Sequence, residues 1–475
     1  MIFLIRIKHF QQNPGPAAGK MEPVPPERRK INTLNFYLLH NMRKDFCLWL
    51  ISLALHYQTD VQPAYIPELG LAPVKAEIIK TDSGYQLLRA GKPYFIKGAG
   101  GSAYPGRIAA CGGNSIRTWG SRDGQRVLDS ARRYGLTVLM GLDVARERHG
   151  FNYSDTAAVW AQLERLRAEV IKYKNDPALL AWGIGNELNL ESKNPRVWDA
   201  VNQISRMIHA ADPNHPTCTV LAGISKELVE QIKTQCTDID LLAINTYGGL
   251  ASLPKTVRTC GWTGPYMVTE WGPTGHWESL QTSWNRPVEE NSSEKAAVYK
   301  SRYEYSIEKD RERCLGSYVF LWGQKQERTP TWYGLFTERG EESEVVDVMQ
   351  FLWTGNWPAN KAPHVYSFQL GRKKAIDNVE LQPGSLTEAL VVSADPDRDP
   401  LSYRWELLAE PGQLSQGGDR EDRPQPIPDL LSGARDGTVQ LKAPDKEGAY
   451  RLFVYVTDGY NKVATANIPF LVRKR

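Results

Sequence analysis

Short apolar runs alternate with amphipathic stretches between about residues 92 and 322, and this alternation restricts the possible fold more than any other feature of the chain. Helices are predicted at 122–134, 157–174, 195–211, 225–236 and 293–313. The eight apolar runs predicted to be strands are Tyr94–Gly98, Ser115–Trp119, Thr137–Asp143, Leu180–Glu187, Thr217–Ala222, Leu241–Tyr247, Tyr266–Glu270 and Ser317–Trp322.

The helical stretch 157–174 shows the expected periodicity. Its apolar residues recur at spacings of three and four, as a single buried stripe requires. Eight strand-then-helix units in roughly 260 residues are the expected size of a (β/α)₈ barrel. A doubly wound open sheet is the alternative, but Gly98-Ala99-Gly100-Gly101 matches its glycine-rich phosphate loop poorly. We therefore predict a TIM barrel domain over residues 85–355, in which a hairpin at 84–97 leads into the first barrel strand.

The pattern changes after the barrel. Residues 356–366 carry two prolines and predict a linker, and 367–475 predict a small immunoglobulin-like β-sandwich with no helix. The polar segment 408–437 predicts a long loop within it. Its predicted strands are Ala389–Ser393, Leu401–Leu407, Val439–Lys442, Tyr450–Thr457 and Ala464–Val472.

The first 60 residues predict a leader. Met42 is followed by two basic residues and the apolar run Phe46–Leu55, a pattern typical of a secretory signal and too short to span a bilayer. A short buried helix is the alternative. We expect a secreted or periplasmic protein whose true start is Met42, with no integral membrane span in the mature chain.

Composition is that of a soluble globular protein, with 41% hydrophobic and 24% charged residues. The net charge of +4 is concentrated in residues 1–44, where eight Lys/Arg face two Glu, and this +6 leaves −2 for the rest. Nucleic acid is therefore not an expected partner. Beyond the leader, five cysteines lack the spacing of metal ligands and are expected to be mostly buried thiols.

Two glutamates carry the strongest functional information. Glu187 ends the fourth predicted strand and Glu270 ends the seventh. A carboxylate at the end of a buried strand is costly to place, so it usually has a chemical role, although a single one is more often a structural ion-pair partner. A pair flanked by tryptophan and glycine indicates acid/base and nucleophilic cleavage of a glycosidic bond.

Other polar and aromatic residues are predicted at the same ends of the strands, where the active site of such a barrel lies. Arg117 and Tyr247 are candidates to stabilise an ionised nucleophile, and Trp182 could supply apolar surroundings for the acid. Tryptophan stacks on sugar faces while amides bind hydroxyls, so the mixture favours a carbohydrate. The predicted supporting residues are Arg117, Trp119, Asp143, Asn186, Asn245, Tyr247, Trp271 and Trp322.

These motifs resemble a known family. Gly185-Asn186-Glu187, Thr269-Glu270-Trp271-Gly272 and Arg117 look like the clan A retaining glycoside hydrolases, and the barrel is most similar to that of family 2. The resemblance covers about residues 85–355. It implies Glu187 as acid/base, Glu270 as nucleophile and a β-linked sugar cleaved with retention. The C-terminal region resembles PKD-like or cadherin-like modules.

Two alternatives stay open beside a glycosidase. Transglycosylases that remodel β-glucans share the two motifs, and a non-catalytic glycan-binding protein could retain the barrel. We expect neither a cofactor nor a metal, because no histidine cluster suits one. Asp395-Pro-Asp397-Arg-Asp399 lacks the glycine of a calcium loop and is interpreted as an acidic turn.

Overall fold

The computed structural model describes residues 71–412 and 414–474, so the predicted leader and Met42 lie outside the described residues. The described chain begins with a small antiparallel sheet of Ala76–Thr81 (β1), Gly84–Arg89 (β2) and Lys92–Pro93 (β3). The first strand of the predicted hairpin corresponds to β2, and the strand that pairs with it is Lys92–Pro93, earlier than the expected Tyr94–Lys97. The strand β1 was not predicted.

A closed barrel of eight parallel strands follows, which confirms the predicted fold class. Each strand pairs with its sequence neighbours, and the eighth pairs with the first. The strands are Ile96–Gly100 (β4), Ser115–Arg117 (β5), Thr137–Leu142 (β6), Leu179–Ile184 (β7), Thr217–Ala222 (β8), Leu241–Asn245 (β9), Tyr266–Trp271 (β10) and Cys314–Val319 (β11).

Helices surround the barrel and follow its strands. They are Pro105–Ala110 (α1), Gly124–Tyr134 (α2), Thr156–Tyr173 (α3), Arg196–Ala211 (α4), Lys226–Gln235 (α5), Leu253–Thr259 (α6), Ser292–Arg302 (α7) and Glu344–Thr354 (α8). Short 3₁₀ turns occupy Glu147–His149, Gly248–Ser252 and Ala375–Asp377.

Local sequence explains where several helices begin and end. The Asp155 carboxylate accepts hydrogen bonds from the backbone N–H groups of Ala157 and Ala158 and so begins α3. Asn291 and Glu294 form a capping box at the start of α7. The helix predicted at 293–313 is shorter than expected, because α7 passes into a wider turn at Tyr303–Ile307.

Alternation along the strands creates two apolar layers. Inside the barrel, Leu139, Leu180, Val220 and Met267 belong to one buried cluster. The opposite faces of the strands pack against the helices in a larger cluster. Strands buried on both faces explain why the sequence shows continuous apolar runs there.

Two sheets pack around a separate apolar core in the C-terminal part, as predicted for a sandwich. Three of these strands were not predicted, and Leu431–Arg435 lies within the expected long loop. The strands are His364–Leu370 (β13), Val379–Leu381 (β14), Leu386–Ala394 (β15), Ser402–Ala409 (β16), Leu431–Arg435 (β17), Thr438–Lys442 (β18), Gly448–Thr457 (β19) and Lys462–Val472 (β20).

The barrel and the sandwich share a sheet and a buried polar network. The short strand Glu342–Ser343 (β12) pairs in parallel with β20. Glu289, which is 6% exposed, accepts hydrogen bonds from Lys295 Nζ at 2.6 Å, Thr329 Oγ1 at 2.6 Å and Asn467 Nδ2 at 2.7 Å. Since Asn467 belongs to β20, this carboxylate joins the two parts.

Candidate active site

The C-terminal ends of the barrel strands surround a cavity of about 1170 Å³. Glu187 and Glu270 both line it, so the fold brings together two carboxylates that are 83 positions apart in sequence. Cavities of this size accept small organic ligands.

Glu270 lies near the end of β10, and its carboxylate accepts three hydrogen bonds. Arg117 Nη1 donates to Oε1 at 2.9 Å and Trp119 Nε1 donates to the same oxygen at 2.7 Å. The Tyr247 hydroxyl donates to Oε2 at 2.9 Å. Glu270 is 6% exposed, and three donors including a guanidinium stabilise its negative charge in this buried position. The arrangement suits a carboxylate that acts as a nucleophile.

Glu187 occupies a different environment just after β7. Its backbone lies in the left-handed region with φ +54°, which is strained for a glutamate and follows Gly185 at φ +72°. Asn245 Nδ2 donates to Oε1 at 2.9 Å. Burial, and next the negative charge of Glu270, raise the pKa of Glu187 to about 7. Glu187 can therefore hold a proton at neutral pH and give it away.

Arg117 organises the base of the site. Its side chain is 1% exposed and bonds residues of β10 and of the connection just beyond β7. Nη1 donates to the Thr269 carbonyl at 2.7 Å, and Nη2 donates to Asn186 Oδ1 at 2.6 Å. The oxygen of Asn186 is thus engaged, and its amide N–H donors are the ones available to a ligand.

Aromatic rings form one wall of the cavity. Tyr247, Phe320, Trp332 and Tyr333 make a buried cluster, with Trp119 packed against it. The Tyr247 ring meets Trp277 edge-on at 5.4 Å between centroids. Burial, and next the charge of Glu270, raise the pKa of Tyr247 well above its ordinary value, so this phenol stays protonated and donates.

The segment that follows β10 contributes further groups. His276 and Glu278 both line the cavity wall. Burial, and next the charges of Arg328 and Lys325, lower the pKa of His276 to about 4, so its ring is neutral. Its Nδ1 lies 2.9 Å from the Tyr333 hydroxyl.

Three expected supporting residues lie away from the cavity. Trp271 directly follows Glu270, so alternation turns its ring outward, where it packs at 5.4 Å from Tyr299. Trp322 is 0% exposed and stacks on Trp353 of α8 at 5.7 Å, so its ring is no sugar platform. Asp143 is exposed, because the chain turns after Leu142 and leaves the strand's alternation.

Trp182 also departs from the expectation. Its ring lies in the outer layer between strands and helices and donates to Asp212 Oδ2 at 2.8 Å. It therefore cannot supply the apolar surroundings of Glu187. Alternation explains this, because Trp182 points to the opposite face from the barrel interior.

Several cavity residues were not anticipated from the sequence. Arg146 donates from Nε to the Asn186 carbonyl at 3.1 Å and lines the cavity, as do Phe320 and Leu321. The sandwich segment Leu414–Asp419 also lines it. The position of Phe320 and Leu321 directly after the eighth barrel strand could have suggested them. No sequence motif near residues 414–419 indicates that this segment lines the cavity.

The acidic turn of the sandwich brings three carboxylates together. Asp395, Asp399 and Asp458 each offer one oxygen within 4.8 Å of the others. Asp458 already accepts from Asn360 Nδ2 at 2.7 Å and from two backbone N–H groups, which gives it a structural role in the turn.

The five cysteines within residues 71–412 are all buried and unpaired. Among the helices of the described ranges, none is both long and apolar enough to cross a membrane.

Comparison with known proteins gives structural likeness alone. No protein-family model matches the sequence, and no curated protein matches it either. Similar solved structures include the β-glucuronidase of Bifidobacterium dentium, at 18% identity and a TM-score of 0.46, covering 59% of this chain and 49% of that one. The β-glucuronidase of Bacteroides uniformis has 15% identity and a TM-score of 0.47, covering 84% of this chain and 48% of that one.

A third similar structure is the GH2 β-galacturonidase of Eisenbergiella tayi bound to galacturonate, with 18% identity and a TM-score of 0.46. It covers 60% of this chain and 54% of that one. The chain thus spans about half the length of each of these structures. Likeness at this level does not extend to activity or substrate.

Proposed function

We propose that this chain is a glycoside hydrolase that cleaves an O-glycosidic bond of a β-linked glycan or glycoside by double displacement. The observation that carries the proposal is the contrast between the two carboxylates. Glu270 accepts hydrogen bonds from a guanidinium, an indole and a phenol, while burial and the neighbouring charge let Glu187 keep a proton near neutral pH.

The proposed first step breaks the bond between the anomeric carbon and the leaving oxygen. A Glu270 oxygen attacks the anomeric carbon and forms a glycosyl ester, while the Glu187 proton passes to the leaving oxygen. In the second step Glu187 takes a proton from water, the water oxygen bonds to the anomeric carbon, and the ester to Glu270 breaks. The net change is addition of one water and retention of configuration.

The surrounding residues have defined roles in this scheme. Arg117 and Tyr247 keep their bonds to Glu270 until it attacks, and Asn186 is placed to bind a sugar hydroxyl. The rings of Trp119 and Phe320 offer apolar faces to a sugar. We also propose export, on the basis of the apolar run after Met42.

Intact-protein mass measurement tests the proposal directly. The protein is incubated with 2-deoxy-2-fluoro β-glycosides of glucose, galactose, mannose and glucuronic acid that carry activated leaving groups. We expect a mass gain located on Glu270 for at least one sugar and no gain in Glu270→Gln. No labelling and no turnover of any β-glycoside would contradict a hydrolase, whereas turnover that gives the inverted anomer would contradict double displacement.

Product analysis separates hydrolysis from transglycosylation. With the reacting sugar identified, an excess of acceptor sugar is added and the products are counted. Hydrolysis predicts mainly free sugar, and a transglycosylase would give mainly the lengthened glycan.

A further inference from the structure

Among the described residues, the part of the sandwich that lines the active-site cavity is the segment Leu414–Asp419. The cavity is otherwise lined by residues of the barrel region, so this segment brings a second part of the chain to the reacting groups. Leu414 lines the cavity and is 45% exposed. Its apolar surface is therefore available to a ligand.

Two barrel connections attach the segment on opposite sides. After β6, Arg148 donates to both oxygens of Asp419, at 2.8 and 3.1 Å. After β11, Lys325 Nζ donates to the Gly418 carbonyl at 2.6 Å. The segment therefore joins the connections that follow β6 and β11 and forms part of the cavity lining.

Buried contacts hold both ends of the segment in place. Glu421 accepts from Arg328 Nη1 at 2.7 Å and from the Ser415 N–H at 3.0 Å. On the N-terminal side of the segment, Arg451 Nε donates to Glu410 Oε1 at 2.8 Å, and Arg451 Nη2 donates to the Pro287 carbonyl at 2.8 Å. Arg451 is 2% exposed, and a bidentate or buried guanidinium contact fixes geometry well. These contacts hold the segment in a fixed position in the cavity lining.

We propose that Leu414–Asp419 determines specificity by contacting the part of the substrate beyond the sugar that reacts with Glu270. This inference rests on the proposed function. Leu414 supplies an apolar contact, and Gln416 supplies an amide that can bond a hydroxyl of a neighbouring sugar unit. Asp419 is a positioning residue, because it acts through Arg148 to hold the segment over the cavity.

The test compares two substrates of the sugar that labels Glu270: its 4-nitrophenyl β-glycoside and its β-linked trisaccharide. We expect Leu414→Ala to lower kcat/KM for the trisaccharide by about 10-fold, since small changes in an apolar contact alter discrimination to that extent. The loss for the aryl glycoside should be clearly smaller. Leu386→Ala is the matched control, because Leu386 is 73% exposed on the sandwich strand β15 and lies outside the cavity lining.

A charge exchange tests the attachment separately. Asp419→Arg should raise KM for the trisaccharide, and adding Arg148→Asp should restore it in part. KM for the aryl glycoside should change much less in both variants, which a merely structural role would not predict. Equal effects of Leu414→Ala on both substrates, or parental KM in Asp419→Arg, would overturn the inference. A parent that neither labels nor hydrolyses any glycoside would instead refute the proposed function.

Discussion

The Arg117 guanidinium and the Glu270 carboxylate form a buried ion pair across the barrel, with side chains 1% and 8% exposed and 2.9 Å between Nη1 and Oε1. An isolated charge would be costly at either position. The pair is tolerable because Arg117 also bonds a backbone carbonyl and Asn186, while Glu270 has two further donors. The same contacts hold the Glu270 carboxylate in place at the cavity.

Arg117→Met should unfold more readily than the parent and lose activity. Removing one partner of a buried pair costs about 3–5 kcal/mol, because the remaining charge has no counterion. Thermal unfolding measures the loss of stability. The value of kcat/KM for the aryl β-glycoside of the sugar that labels Glu270 measures the loss of activity. Arg126→Met is the control, since Arg126 pairs with Asp123 at 71% exposure. Equal thermal midpoints in the two variants would contradict this account.

Glu270→Gln should lose nearly all hydrolysis while it keeps the fold. An amide oxygen in the place of Oε1 can still accept from Arg117 and Trp119, and the Tyr247 hydroxyl can accept from the amide NH₂, but the amide cannot form the glycosyl ester. Circular dichroism establishes the fold, and initial rates on the aryl glycoside establish the loss. Parental turnover would remove Glu270 from the mechanism.

Glu187→Gln should remove the alkaline limb of the pH profile. Because the pKa of Glu187 is raised to about 7, kcat/KM of the parent should fall above that pH as the acid loses its proton. The variant should lose about 10²–10⁴-fold on substrates with poor leaving groups, the usual contribution of general acid catalysis. Azide should restore turnover of activated substrates in Glu187→Ala. A parental pH profile in Glu187→Gln would contradict the assignment.

The same carboxyl predicts a change in stability with pH. Folded Glu187 binds its proton more tightly than the unfolded chain, whose carboxyl has a pKa near 4.5, so its contribution to the free energy of unfolding is full below that value. The contribution is lost as pH rises from 4.5 to about 7. Thermal midpoints at pH 5 and pH 8 should therefore differ less in Glu187→Gln than in the parent. An equal difference would show that Glu187 titrates normally.

Tyr247→Phe should slow catalysis without unfolding the protein. The change removes the 2.9 Å hydrogen bond to Glu270 Oε2 and keeps the ring that packs on Phe320. Hydrogen bonds to charged groups contribute about 1.5–3 kcal/mol, which corresponds to roughly 10–150-fold in kcat/KM. Tyr366→Phe is the control, because Tyr366 is 65% exposed on the sandwich. Identical kinetics in both variants would argue against a role for the hydroxyl.

Glu289→Ala should loosen the junction between barrel and sandwich. It leaves the Lys295 ammonium, whose side chain is 6% exposed, without its carboxylate, at a cost of about 3–5 kcal/mol. Thermal unfolding and limited proteolysis near residue 356 measure the effect. Asp436→Ala is the matched control, because its pair with Arg435 is 86% exposed on both sides and such pairs contribute little. A proteolysis pattern like that of the control would contradict the role of Glu289.

Local sequence was sufficient for the barrel and for its two central carboxylates. Periods of two and 3.6 residues mark strands and helices, and in a closed parallel barrel all strands end at one face, so Glu187 and Glu270 had to approach each other. Arg117, Asn186, Asn245 and Tyr247 follow from the same rule, since each lies at or just beyond a strand end.

Tertiary structure alone decided which rings beyond the strand ends face the cavity and which distant segment joins its lining. Trp271 lies within β10 and points into the outer layer by alternation, whereas Trp322 lies beyond the end of β11, after Phe320 and Leu321, which both line the cavity. The segment Leu414–Asp419 meets Arg148 across 271 positions of sequence. No local pattern encodes such a contact, since it depends on how the sandwich docks through Glu289, Arg451 and β20.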